Sequence, residues 1–291
     1  MAIDYYRSTA TRLFLGAAAG EPDGIPILDF ADPQCRDVLF PRAVGFGHDP
    51  SQYVPDLMAS PDQMRLIPDS EYDARYDEQE AAQSSLEHVY LRDWQGECLN
   101  QAQTNFCWCY STGSADMLSR LKMGMPFVRL NPSSVASLVK NGANEGGWCG
   151  LSLPKYREIG CAPEGDGPTE WPEATPSRQL NARWQDAAFR ASAARFAVTD
   201  DFYDLGKPVH AQELKDSQRA TCLFNNNPSP SDRNIWGHST CDIRFVRIAA
   251  GEWGWLTLNS WKGWGRRGLA VMRGQQAKAD GSVAVVASMA A

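Results

Sequence analysis

Attack on a carbonyl by sulfur needs a thiolate, a base to take its proton, a group to hold that base, and donors for the charge that develops on oxygen. The sequence offers a candidate for each role: Cys107, His238, Asn259 and Gln101. Cys107 directly precedes a helix predicted from the spacing of Ala115, Leu118 and Leu121 in the stretch Ser111 to Met123. At that end of a helix the free amides and the positive pole of the macrodipole favour thiolate over thiol. Gln101 lies a short way upstream, close enough to return its side-chain amide beside the backbone amide of Cys107, so that the two would share an oxyanion. Cys109 is expected to turn toward the core, with a bridge to Cys149 as one alternative for it.

These residues need elements to bring them together. A second helix is predicted over Pro132 to Lys140, ended by Asn141-Gly142, with Asn131 or Ser133 as N-cap. Prolines 163, 168, 172 and 176 make Gly160 to Asn181 a loop, after which helical patterning resumes from Ala182 to Ala197. Cys241 to Ile248, Gly254 to Leu258 and Gly268 to Met272 are short runs of branched and aromatic residues, read as antiparallel strands. Helices first and strands afterwards is the α+β order, with helical and sheet halves facing each other. Residues 1 to 85 are punctuated by Pro and Gly and read as an arm of short elements. Asp69 to Glu80, rich in carboxylates, reads as a solvated connector or docking strip.

Bulk properties exclude several classes. A net charge of −7 repels phosphate backbones, and no basic cluster interleaved with aromatics is present, so nucleic acid is not an expected partner. No apolar stretch approaches the ~20 residues that cross a bilayer. The run Leu13 to Gly20 after Arg7 and Arg12 is too short for a secretory leader, and Asp4 precedes it. The cysteines contain no pair spaced for zinc, and His48, His88 and His210 read as turn, surface or packing residues. No metal or cofactor is expected.

Gln101, Cys107-Trp108, Gly237-His238 and Asn259-Ser260-Trp261, followed by Gly263-Trp264-Gly265, together resemble the papain family of cysteine peptidases, as does the spacing of His238 and Asn259 from Cys107. The resemblance spans residues 86 to 291. It implies a two-lobe α+β fold preceded by an N-terminal extension over 1 to 85, and a thiol peptidase that cleaves peptide or protein substrates. Cys107 would be the nucleophile, His238 its base, Asn259 the group orienting the imidazole, Trp261 the shield over that bond, and Gln101 an oxyanion donor. Glu145-Gly146-Gly147-Trp148 resembles the segment whose glycines pair with extended substrate and whose aromatic lines the main pocket. Ser282 to Met289 would be the last strand.

The departures carry information too. Phe106 replaces a small residue before the nucleophile, which would place a bulky ring at the cleft. Thr104, Asn144 and Ser282 stand where the family has half-cystines, which implies lost bridges and a cytoplasmic or other reducing compartment rather than secretion. The arm lacks the long charged helix of the family's inhibitory segments. A second reading follows: a structural subunit of a larger assembly, such as a virion, that keeps the fold and docks its arm on a neighbour.

Overall fold

The computed structural model describes residues 3–16, 23–29, 69–102, 104–147, 149–152, 154–156, 160–164, 220–225, 238–273 and 281–285. Four α-helices stand among them: α1 (Tyr72–Ala82), α2 (Leu86–Asp93), α3 (Cys107–Lys122) and α4 (Pro132–Val139). The helix expected near Cys107 begins there, and the second begins at Pro132, where a proline suits the first turn. It stops at Asn141 and Gly142, both at positive φ.

Seven strands form one mixed sheet in the order β1-β2-β6-β5-β4-β3-β7. They are β1 (Tyr5–Tyr6), β2 (Ile25–Asp29), β3 (Ala220–Asn225), β4 (His238–Ala249), β5 (Glu252–Leu258), β6 (Leu269–Arg273) and β7 (Gly281–Val285). β4, β5 and β6 run antiparallel as their sequences imply, and β3 joins β4 to β7. Helices and sheet are segregated, giving the α+β class expected. α3 is the central helix, buried from Cys107 to Leu121, and it packs against β3, β4 and α4. Among the described residues no helix is long and apolar enough to cross a membrane.

Two features differ from the sequence reading. The arm contributes strands: β2 pairs in parallel with β6, Ile27 opposite Val271, and β1 pairs with β2. Ala10, Ile25 and Leu28 are buried, so the described arm segments dock on the chain's own sheet. The acidic stretch read as a connector is instead α1. Its Tyr72 and Tyr76, one turn apart, pack edge-on to Trp253. Its Asp73 and Asp77 both hold the guanidinium of Arg247, each at 2.7 Å.

Under α1 lies a buried polar cluster that fastens the arm. Arg244, fully buried on β4, donates to Glu80 at 2.6 Å, to Glu87 at 2.9 Å and to Gln79 at 3.0 Å, and lies 4.4 Å over the Tyr76 ring. From the arm, Tyr6 donates to Glu87 (3.1 Å) and shares a hydrogen bond with Tyr76 (2.8 Å). Ser8 donates to the other Glu87 oxygen, and Thr9 binds Glu80 through both its amide and its hydroxyl. Burial raises the Glu87 carboxyl above its ordinary range, and Arg244 opposes that shift. His88, expected at the surface or in packing, is wholly buried. Ser85 holds its Nδ1 at 2.7 Å, and desolvation lowers its pKa to about 4.

Residues 182 to 197, His48, His210 and Trp148 lie outside the described residues.

Candidate active site

The site lies where the start of α3 meets the start of β4 and the end of β5. Phe106 flanks α3, its carbonyl accepting from the amides of Cys109 (2.8 Å) and Tyr110 (2.9 Å). Its ring is fully buried and edge-on to Trp108, so it points into the core; the sequence expectation of a ring at the cleft is corrected. Cys109 is buried as expected, but its thiol donates to the Pro132 carbonyl at 3.2 Å and is in no disulfide, which removes the alternative bridge to Cys149. Cys98, Cys107, Cys161 and Cys241 are likewise outside any disulfide.

The β4–β5 register carries the second half of the site. Cys241 pairs with Leu258, and extending that antiparallel register brings His238 opposite Trp261. The two rings stack accordingly, centroids 4.2 Å apart and 19° from parallel. His238 Nε2 lies 2.9 Å from Asn259 Oδ1, and both residues are buried. The same Oδ1 accepts from the Ser260 amide at 2.8 Å, which fixes it as the oxygen. An oxygen accepts, so the neutral imidazole must carry its proton on Nε2 and leave Nδ1 as the nitrogen able to receive one. Desolvation lowers the His238 pKa to about 4, against which the Asn259 bond works. Asn259 Nδ2 is buried with no partner among the described residues.

Gln101 is joined to the same strand end. Its amide donates to the Ser260 carbonyl (2.9 Å), and Ser260 Oγ donates to Gln101 Oε1 (2.6 Å). With Oε1 occupied, the side-chain nitrogen is the end turned to Thr104, whose carbonyl takes one hydrogen at 2.8 Å. An oxyanion would require the other. Thr104 closes the turn by donating to the Gln101 carbonyl at 2.7 Å, three residues before Cys107.

Two hydrogen bonds then bridge the loop before Cys107 to the segment of Gly146 and Gly147. The Asn105 amide donates to Asn144 Oδ1 (2.8 Å), and Asn105 Nδ2 donates to the Asn144 carbonyl (3.0 Å). An asparagine pair thus joins the segments where the resemblance would put a cystine. Trp108 Nε1 donates to the Glu145 carbonyl at 3.2 Å. Gly147 lies against that indole: a Cβ there would come 3.0 Å from the Trp108 ring and 3.0 Å from Leu151. Replacing Asn144 by alanine is expected to remove the partner of the part-buried Asn105 amide and to cost about 0.5–1.5 kcal/mol. Chemical denaturation checks it, and a loss below about 0.5 kcal/mol would deny the pair a structural role.

Of the residues singled out from sequence, His238, Asn259, Trp261 and Gln101 form one hydrogen-bonded and stacked group. Cys107 enters through the turn it shares with Gln101 and through Ser111, one helical turn on, whose hydroxyl lies 2.7 Å from that of Ser239 beside His238. Ser239, Ser260 and Asn105 were not singled out for roles. The usable signals were adjacency to His238, to Asn259 and to the residue before Cys107.

No protein-family model and no curated protein matches the chain. Solved structures similar to it include digestive procathepsin L 3 of Tenebrio molitor larval midgut, at 14% identity over 68% of each chain with a TM-score of 0.45. Recombinant stem bromelain precursor is 14% identical over 79% of this chain and 76% of its own, with a TM-score of 0.46. Bromelain from Ananas comosus, in complex with the E64 inhibitor, is 17% identical over 67% of this chain and 94% of its own, with a TM-score of 0.43. At such identities the chemistry of this chain stands on its own side chains.

Proposed function

We propose that the chain is a papain-like thiol peptidase acting through a Cys107 thioacyl intermediate. The observation that carries the reading is the set His238, Asn259 and Trp261: an imidazole with Nε2 tied to a carboxamide oxygen and one face covered by an indole, on the strand that packs against the Cys107 helix.

In that reading His238 Nδ1 takes the Cys107 proton, and sulfur attacks the carbonyl carbon of the scissile peptide. The carbonyl oxygen gains a negative charge held by the Cys107 amide and the second hydrogen of Gln101 Nε2. The carbon–nitrogen bond then breaks as His238 returns the proton to the leaving amine, which leaves a thioester. Water, deprotonated by His238, opens the thioester to a carboxylic acid and restores the thiol. Asn259 keeps the imidazole in the plane this proton traffic requires. Burial alone would hold His238 neutral down to about pH 4, so an imidazolium near neutral pH requires the thiolate beside it. Gly146, Gly147 and Trp148 are the segment proposed to pair with extended peptide. Five thiols outside any disulfide among the described residues, and the Asn105–Asn144 pair, suit a reducing compartment.

Labelling with an epoxysuccinyl probe, read by mass spectrometry of the Cys107 peptide, tests the assignment. One adduct on Cys107, lost in Cys107→Ala along with hydrolysis of a peptide library, is expected. An adduct on Cys109 or Cys98, or hydrolysis that survives Cys107→Ala, would remove the reading.

A further inference from the structure

A pair of buried hydroxyls links the proposed nucleophile's helix to the proposed base's strand. Ser111 sits one turn beyond Cys107 on α3, Ser239 immediately follows His238 on β4, and their hydroxyls lie 2.7 Å apart at 2% and 0% exposure. Ser111 Oγ is also 3.2 Å from the Trp108 carbonyl, which can only accept. The directions of both bonds follow: Ser239 donates to Ser111, and Ser111 donates to Trp108. Such a relay is polarised along its length and strengthened by the dry surroundings. It ends on a carbonyl in the first turn of α3, the turn that Cys107 opens.

We infer that Ser239 is a positioning residue for the proposed reaction, the Ser239–Ser111–Trp108 relay setting the start of α3 against the start of β4 and thereby the sulfur of Cys107 against the imidazole of His238. This rests on the peptidase reading above. Neither serine touches substrate in this scheme. The relay acts on the distance and alignment over which a proton passes, where displacements of about 1 Å are known to cost large factors in rate. His238 is fixed on its Nε2 side by Asn259 and on one face by Trp261. Those contacts orient the ring within the sheet lobe, whereas the serine relay crosses between the lobes.

The test is the pH profile of Cys107 alkylation by iodoacetamide, followed site by site in the full chain as wild type, Ser239→Ala, Ser239→Thr and Ser111→Ala. In Ser239→Ala, Ser111 keeps its bond to Trp108, so no buried donor is orphaned and the fold is expected to persist. The expected result is about a fivefold slower reaction at neutral pH, the factor for one ordinary hydrogen bond, with the midpoint displaced toward that of free cysteine. Ser111→Ala should reproduce that profile, and Ser239→Thr, which keeps the hydroxyl, should restore most of the rate. A Ser239→Ala profile superimposed on wild type, whatever happens to its melting temperature, would overturn the positioning role and leave the peptidase reading intact. A wild-type profile equal to that of free cysteine would overturn both.

Discussion

Replacing His238 by alanine is expected to lower peptide hydrolysis by about 10²–10⁴-fold in kcat, with KM nearly unchanged. The base acts on the proton of Cys107 and on the leaving amine, neither of which contributes to holding the ground-state substrate. The pH dependence of folding adds a signature. Without a thiolate beside it, desolvation puts the folded His238 pKa near 4, below its value of 6.5 in the open chain, so the unfolded state takes up the proton first as pH falls. This stabilisation is complete above pH 6.5 and is lost progressively toward pH 4. In Cys107→Ala, where no thiolate can offset the burial, the loss between those limits should be visible in urea unfolding. His238→Ala made in that background should flatten it, apart from the share due to His88, which is lowered in the same way. A kcat for His238→Ala within threefold of wild type would contradict the role of base.

Arg244→Met is expected to destabilise the protein by about 3–5 kcal/mol, among the largest losses available to a single substitution outside the site. The methionine fills much of the volume but leaves Glu87, wholly buried, without the charge that offsets its desolvation. Glu87 holds Tyr6 and Ser8, and Glu80 holds Thr9, so the arm's attachment weakens with them. The sign of the pH dependence distinguishes this from simple loss of packing. Glu87 already has a raised folded pKa; without Arg244 it rises further, so the penalty belongs to the ionised form. It should therefore be largest above neutral pH and shrink as pH falls and the carboxyl takes a proton. Pairing the change with Glu87→Gln should recover part of the stability. A loss that is the same at pH 5 and pH 8, or below about 1 kcal/mol, would show that the charges are not coupled in this way. The same cluster argues against a removable arm, since cutting it away would expose the β6 edge that β2 covers.

What could be read from the sequence was local in origin. The helix at Cys107 and the strands ending in Leu258 and beginning near Gly268 declare themselves through spacing and branched residues, and Asn259-Ser260-Trp261 stands at the end of its strand. Gln101 was legible because it lies in the turn that precedes Cys107. What escaped was set by partners distant in the chain. β2 is a strand because β6 offers it an edge more than two hundred residues later in sequence, and the prolines and glycines around it hid that. α1 has a thin apolar face, and its acidic residues read as solvated until Arg247 and Arg244 are known to meet them. Even so, Tyr72 with Tyr76 and Asp73 with Asp77 repeat at one helical turn, a period that could have been taken as a helix. Phe106 misled in the other direction: a large side chain beside a nucleophile suggested obstruction, and only the direction of its ring shows that it packs behind the site.

In the proposed reaction Cys107 and His238 act as a coupled pair, and the reactivity of the thiol reports that coupling directly. Alkylation of Cys107 followed across pH in wild type and His238→Ala should show wild-type reactivity appearing well below the ~8.5 of an ordinary thiol and returning to that value without the imidazole. Superimposed profiles, both titrating as free cysteine does, would contradict it.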